Sequence, residues 1–173
     1  MRIPTVLRTA FLTLLGGLFC FLQGLAQQAV LPSAPLERLT GGVVVPAAVL
    51  QGAPTLAVGS FSRAANNESL AWLRLLHSDA AFRQEQVYQV VMLEAAPGFV
   101  RPLIRGGLRR QTPPEWQSHL LLATEENAAW RAFFGVTDES QPAVLLLSPQ
   151  GVVLWRGNGR AADLAGQLKS RLH

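Results

Sequence analysis

The sequence predicts one α/β domain, a mixed sheet of four to five strands flanked by helices, with a separate N-terminal stretch ahead of it. Three observations carry this. Apolar, β-branched runs at 55–60, 87–93, 119–123, 143–147 and 152–156 are spaced apart, and helical patterning fills the longer gaps. Only Ser148-Pro149-Gln150-Gly151 separates the last two runs, a turn sequence with Pro second and Gly fourth, so those two form a hairpin. The chain has 173 residues, 49% hydrophobic and 15% charged, which suits one core plus an extension and is too apolar for disorder.

Residues 1–26 read as a targeting segment. Arg2 and Arg8 precede an apolar run from Thr9 to Leu25, and no acid occurs before Glu37. Gly24-Leu25-Ala26 offers small residues where a signal peptidase cuts, so cleavage is expected after Ala26 and the protein is expected to be exported, periplasmic or secreted. An uncleaved membrane anchor is the alternative. A mitochondrial destination is a third reading, although a transit helix would be amphipathic and this run is apolar all round. Removing residues 1–26 takes away two Arg and Cys20, the only cysteine. The remaining 13 basic and 11 acidic residues lower the net charge from +4 to +2. One cysteine excludes a disulfide framework and a Cys-rich zinc site. With no ATP- or NAD-type glycine motif, no cofactor is expected, and no nucleic-acid partner.

Residues 27–53 carry Pro32, Pro35, Pro46 and Gly41-Gly42 without a helical or strand period, and read as a linker or loosely docked extension. Val43-Val44-Val45 is a candidate edge strand. The domain proper is expected over 54–173. After the first strand, Asn66 is a candidate N-cap, and Leu70, Leu73 and Leu76 form a helical stripe. The second strand spans Val87–Leu93. Phe99–Arg110 predicts a short helix made irregular by Pro102 and Gly106-Gly107. His119–Ala123 is the third strand. Thr124 is expected to cap the next helix, with Glu125 and Glu126 at its positive end, Ala129, Trp130, Phe133 and Phe134 on its buried face, and Gly135 as its stop. After the hairpin, Gly157-Asn158-Gly159 breaks the strand, and Leu164, Leu168 and Leu172 mark a closing helix.

This order, β-α-β-(irregular α)-β-α-β-β-α, resembles the thioredoxin fold. Gln141 to Gly151 is similar to the stretch where that fold places a cis-proline, a strand and a tight turn, so the resemblance implies a cis bond before Pro142. The local reading is a strand-starting proline whose missing N–H costs nothing. More narrowly, the chain resembles the mitochondrial ATP-synthase assembly factors, the non-redox thioredoxin-like chaperones of the membrane sector. The likeness rests on Phe61-Ser62-Arg63 with Trp72, on Arg101–Trp116 running into Pro114-Glu115, and on Val152–Ala161 (VVLWRGNGRA). It implies a polypeptide client, such as a subunit of a membrane complex, held at an edge built from Arg63, Pro142, Trp155, Gly157 and Gly159. The alternatives are a small-ligand or anion-binding module and an enzyme of non-thiol chemistry using Ser62 or Arg63.

Thiol chemistry needs a thiolate, and 61–67 holds Ser62, Ala64 and Ala65 but no Cys. Redox activity of the processed chain is therefore excluded, and no catalytic residue is assigned. Arg101, Arg105 and Arg109 recur every four residues, and Arg110 follows. On a helix the first three share one face, either a solvated surface or a contact for anionic lipid or an acidic client. Trp155 with Gly157 and Gly159 reads either as packing on the closing helix or as part of the docking edge. His77, His119 and His173 lack ligand spacing, so no metal is expected.

Overall fold

The computed structural model describes residues 30–172; residues 1–26, expected from sequence to be a targeting segment, and His173 lie outside the described residues. Seven strands form one sheet: β1 (Leu36–Arg38), β2 (Val43–Val44), β3 (Thr55–Ser60), β4 (Gln86–Met92), β5 (Leu120–Ala123), β6 (Ala143–Leu147) and β7 (Val153–Asn158). Their order across the sheet is β2-β1-β5-β4-β3-β6-β7. The central β3, β4 and β5 are parallel, while β6, β7, β1 and β2 continue the sheet antiparallel on either side. β3, β5 and β6 are buried along their whole length, which explains why they read as unbroken apolar runs.

Among the described residues five α-helices cover the sheet: α1 (Pro46–Leu50), α2 (Arg63–Ser78), α3 (Arg101–Gln111), α4 (Asn127–Phe134) and α5 (Ala161–Lys169). The alternation of β4 sorts them. Val87 joins Trp72, Leu73 and Leu76 of α2 and Leu168 of α5, and Val91, on the same face, joins Leu108 of α3. Tyr88 and Val90 face the other way, toward Val49 and Leu50 of α1 and Trp130, Phe133 and Phe134 of α4. The sheet thus buries two cores, each with a fully buried tryptophan.

Seven strands replace the expected four to five, and the additional two come from the segment read as a linker. Gly41 (φ 106°) and Gly42 (φ 87°) close a tight turn in which the Arg38 N–H donates to the Gly42 carbonyl at 2.9 Å. β1 then pairs along β5, Leu36 opposite Ala123. Leu36 and Leu39 are fully buried, so the hairpin belongs to the core. Strands of three and two residues are too short to show a period.

Two helix starts also differ from the expectation. The N-cap of α2 lies four residues before Asn66: it is Ser62, which accepts from the Ala65 N–H at 3.1 Å. α4 is capped neither by Thr124 nor by acids in its own first turn. Glu126 lies outside it with φ 55°, and its carboxylate accepts from the Ser33 and Ala34 N–H groups at 3.1 and 2.9 Å, pinning the N-terminal extension. Glu94, after β4, accepts from the Asn127 N–H at 3.0 Å instead. Gly135 ends α4 at φ 65°, as its position predicts. α3 is regular through Gly106-Gly107, with Pro102 in the first turn, where no N–H is needed.

Candidate functional site

Parallel pairing brings the carboxyl ends of β3 and β4 to one end of the sheet, the usual place for a site in such folds. β3 delivers Phe61, Ser62 and Arg63 there, and β4 delivers Val91, Met92 and Leu93. α2 rises from the first, and α3 lies across the second through Leu108. Between the two helices is a groove of about 570 Å³. Phe61, Val91, Leu93, Leu103, Ile104 and Leu108 give it an apolar lining, and Ser62, Arg63, Asn66, Asn67 and Gln111 add polar groups. Leu103 is 72% exposed, while Leu108 on the same helix is buried. Gly107 also lines the groove, and a Cβ built there meets nothing within 4 Å.

A polar seam runs beneath the start of α2. Asn66 accepts from the Gln89 side chain at 3.1 Å, and Gln89 is otherwise buried in β4. Ser60 and Ser69 share a buried hydrogen bond of 2.7 Å, and Ser69 also donates to the Ala65 carbonyl at 2.8 Å. These bonds fix the first turn of α2 and so the floor of the groove. The Ser62 hydroxyl is committed as well: it donates to the Glu139 carbonyl at 2.7 Å while capping α2. The chain has one cysteine, Cys20, so a two-cysteine redox motif is absent.

The residues nominated from sequence divide into two places. Arg63 lines the groove and is exposed, with no acidic partner among the described residues. Pro142 is buried beside Ser60, since Gly59 faces Ala143 in the β3–β6 ladder. The bond before it is trans, as are all described peptide bonds, which corrects the cis expectation. The loop is held instead by Asn158. Its Oδ1 accepts from the Thr137 and Asp138 N–H groups at 2.9 and 2.6 Å, and its Nδ2 donates to the carbonyls of Gln141 and Pro142 at 3.2 and 3.1 Å. A loop satisfied on both sides by one amide is complete with a trans proline.

Trp155, Gly157 and Gly159 close the fold. The Trp155 ring lies so near Gly157 that a Cβ there would sit 2.4 Å from its Cη2 and 3.0 Å from Leu164 Cδ1. Trp155 packs with Leu164 and Leu168 of α5. The Gly159 carbonyl accepts from the Trp72 Nε1–H at 2.9 Å, and its N–H donates to the Pro142 carbonyl at 2.9 Å. The sequence pattern Gly157-Asn158-Gly159 drew attention to its glycines, while Asn158 makes the side-chain bonds that hold the loop.

The basic stripe of α3 turns inward. Arg105 pairs with Glu37 of β1, Arg109 donates to the Leu39 carbonyl at 2.9 and 3.2 Å, and Arg101 donates to the Ala96 carbonyl at 3.0 Å. These three arginines tie α3 to the N-terminal hairpin and to the loop after β4; Arg110 is exposed. His77 stacks on Trp116 at 4.2 Å and 10°, and His119 lies 5.1 Å from Tyr88. Partial burial holds both imidazoles below their ordinary value. Charge repulsion from His119 adds to the effect at His77, Glu115 opposes it, and Arg38 adds to it at His119. Among the described residues, no cluster of His, Cys, Asp and Glu is arranged to hold a metal, and no helix is long and apolar enough to cross a membrane.

With this geometry the fold is thioredoxin-like. No family model matches the chain, and no curated protein matches it in sequence. Solved structures do. The thioredoxin domain of a thiol-disulfide oxidoreductase from Bacteroides vulgatus is similar with a TM-score of 0.58 at 11% identity, over 84% of this chain and 98% of its own. A thiol:disulfide interchange protein of the thioredoxin family from Chlorobium tepidum gives 0.52 at 17% identity, over 86% and 99%. BsSco, of the Sco family of cytochrome c oxidase assembly proteins, gives 0.55 at 15% identity, over 84% and 95%. At such identities the likeness establishes the fold.

Proposed function

We propose that this is a non-catalytic, exported thioredoxin-fold protein that binds a polypeptide client in the groove between α2 and α3, as an assembly factor or chaperone for a membrane protein complex such as ATP synthase. Gly107 is the observation that carries the reading. A glycine inside a helix costs about 1 kcal/mol relative to alanine. Here it lines the groove, and a Cβ at its position would meet nothing within 4 Å. Leu103 is exposed on the same wall, so an apolar surface stands ready for a partner. The missing redox cysteine pair removes the chemistry otherwise done at this end of the fold and leaves binding. The resemblance of Phe61-Ser62-Arg63 and VVLWRGNGRA to the assembly factors, and the shared fold of BsSco, support the assembly role.

The test is a photo-crosslinking amino acid at position 103 and, as a control, at Gln150 in the hairpin turn. Incubation with native membranes is expected to give a discrete client adduct from 103 only. The variant Gly107→Leu, which fills the groove in open space, is expected to abolish that adduct and to leave the circular dichroism spectrum unchanged. Adducts of equal yield from both positions, or an adduct that survives Gly107→Leu, would contradict the reading.

A further inference from the structure

The groove is not electrically neutral. Among the described residues Arg63 is its only charged lining residue, and no carboxylate lines it. Glu94, between lining residues Leu93 and Ala95, does not itself line the groove and accepts from the Asn127 N–H at 3.0 Å; the other nearby acids are engaged or absent from the lining. Glu139, whose carbonyl accepts from Ser62, gives its carboxylate to Arg131, and Glu37, beneath α3, pairs with Arg105. Glu68 stands one turn further along α2 and does not line the groove. The positive end of α2 reinforces this charge, since its first turn contains no acid. An apolar groove with one unneutralised cation is complementary to an apolar ligand that carries one negative charge.

The uncharged polar lining decides what kind of ligand that is. Among the described residues the Asn67 and Gln111 side chains have no hydrogen-bond partner, and they stand on opposite walls, on α2 and α3. A fatty carboxylate has no groups for those amides, and burying them against an alkyl chain would cost free energy. A peptide backbone has N–H and C=O groups at regular spacing for both. The volume of about 570 Å³ lies in the range of roughly 300–1,000 Å³ typical of small-ligand sites. That is room for a chain end rather than a folded surface.

We infer that the groove recognises the carboxyl terminus of an apolar polypeptide, with its last side chains against Leu103, Ile104 and Leu108 and its terminal carboxylate on Arg63. The inference rests on the proposed polypeptide-binding role and specifies the part of the client that is held. A charge-assisted hydrogen bond of this kind is worth about 1.5–3 kcal/mol, or roughly tenfold to a hundredfold in affinity.

The probe is an N-acetylated heptapeptide with a Ser/Gly lead and the ending leucine-valine-leucine-phenylalanine, made as the free acid and as the C-terminal amide. Calorimetric titration of the full chain is expected to show the acid binding at least tenfold tighter than the amide. Arg63→Gln is expected to bring the acid down to the level of the amide and leave the amide unchanged. Equal affinity of acid and amide for the wild type would overturn the carboxyl-terminal inference while leaving polypeptide binding intact. Binding of neither peptide would remove the polypeptide reading as well. Laurate binding more tightly than the free-acid peptide would make the ligand a lipid and overturn the inference.

Discussion

Two ends of the same sheet face are built from similar residues and end up with opposite roles. At the β6–β7 side, Trp155, Leu164 and Gly157 meet within van der Waals distance, and Trp72 and Asn158 satisfy the neighbouring carbonyls. At the β4 side, Leu103 remains exposed, Gly107 leaves a gap, and Arg63 has no acidic partner. The first region has used its aromatic and glycine residues to close the fold. The second has apolar surface and charge left over, and a partner can use only what the fold has not.

The contrast is broken most forcefully by truncating one residue from each region. Trp155→Ala removes a large ring packed against α5 and is expected to cost about 3 kcal/mol in urea unfolding. Leu103→Asp changes an exposed side chain and is expected to stay within about 0.5 kcal/mol of the wild type. The same pair should invert in binding: Trp155→Ala, measured at a temperature where it is folded, keeps peptide affinity, and Leu103→Asp loses it. A stable Trp155→Ala that fails to bind would return the site to the edge first read from sequence.

That edge was legible as a pattern, while its role was not. The strands 55–60, 143–147 and the hairpin turn could be read because each is a local run with local punctuation. Pro142 and the two glycines could be found because proline and glycine punctuate strands, and Trp155 because a large aromatic stands out beside them. Whether an aromatic is used inside or outside depends on what packs over it, here α5, and no local spacing encodes that. The groove was missed for the same reason. Leu103, Ile104 and Leu108 look like an ordinary helix stripe, and Gly106-Gly107 looked like a defect in the helix. The arginines of that helix have regular spacing, but their partners are Glu37 and the Leu39 carbonyl, about seventy positions earlier in the chain. Val43-Val44 of β2 stood out as an edge-strand candidate by its β-branched residues, while β1 was missed because three residues carry no period.

A smaller effect sharpens the comparison from the side of α2. His77 and His119 both have folded values depressed below the ordinary 6.5, chiefly by burial. The folded state therefore binds fewer protons than the unfolded chain near that pH, and stability present above about pH 6.5 is lost as the pH falls through the folded values. The urea midpoint is expected to be lower at about pH 5.5 than at about pH 7.5, with His77→Gln flattening the dependence. A midpoint independent of pH over this interval would show that the His77–Trp116 stack contributes nothing to it.

Ile104 is the one isoleucine beyond residue 3, so its methyl signal reports on the groove without overlap, and the Trp155 indole reports on the closed edge. Titrating the apolar heptapeptide, in either terminal form, into isotope-labelled protein tests the proposed client groove. The account predicts a saturable shift of the Ile104 methyl with the Trp155 indole unmoved. A shifted indole with an unmoved Ile104 methyl would contradict it.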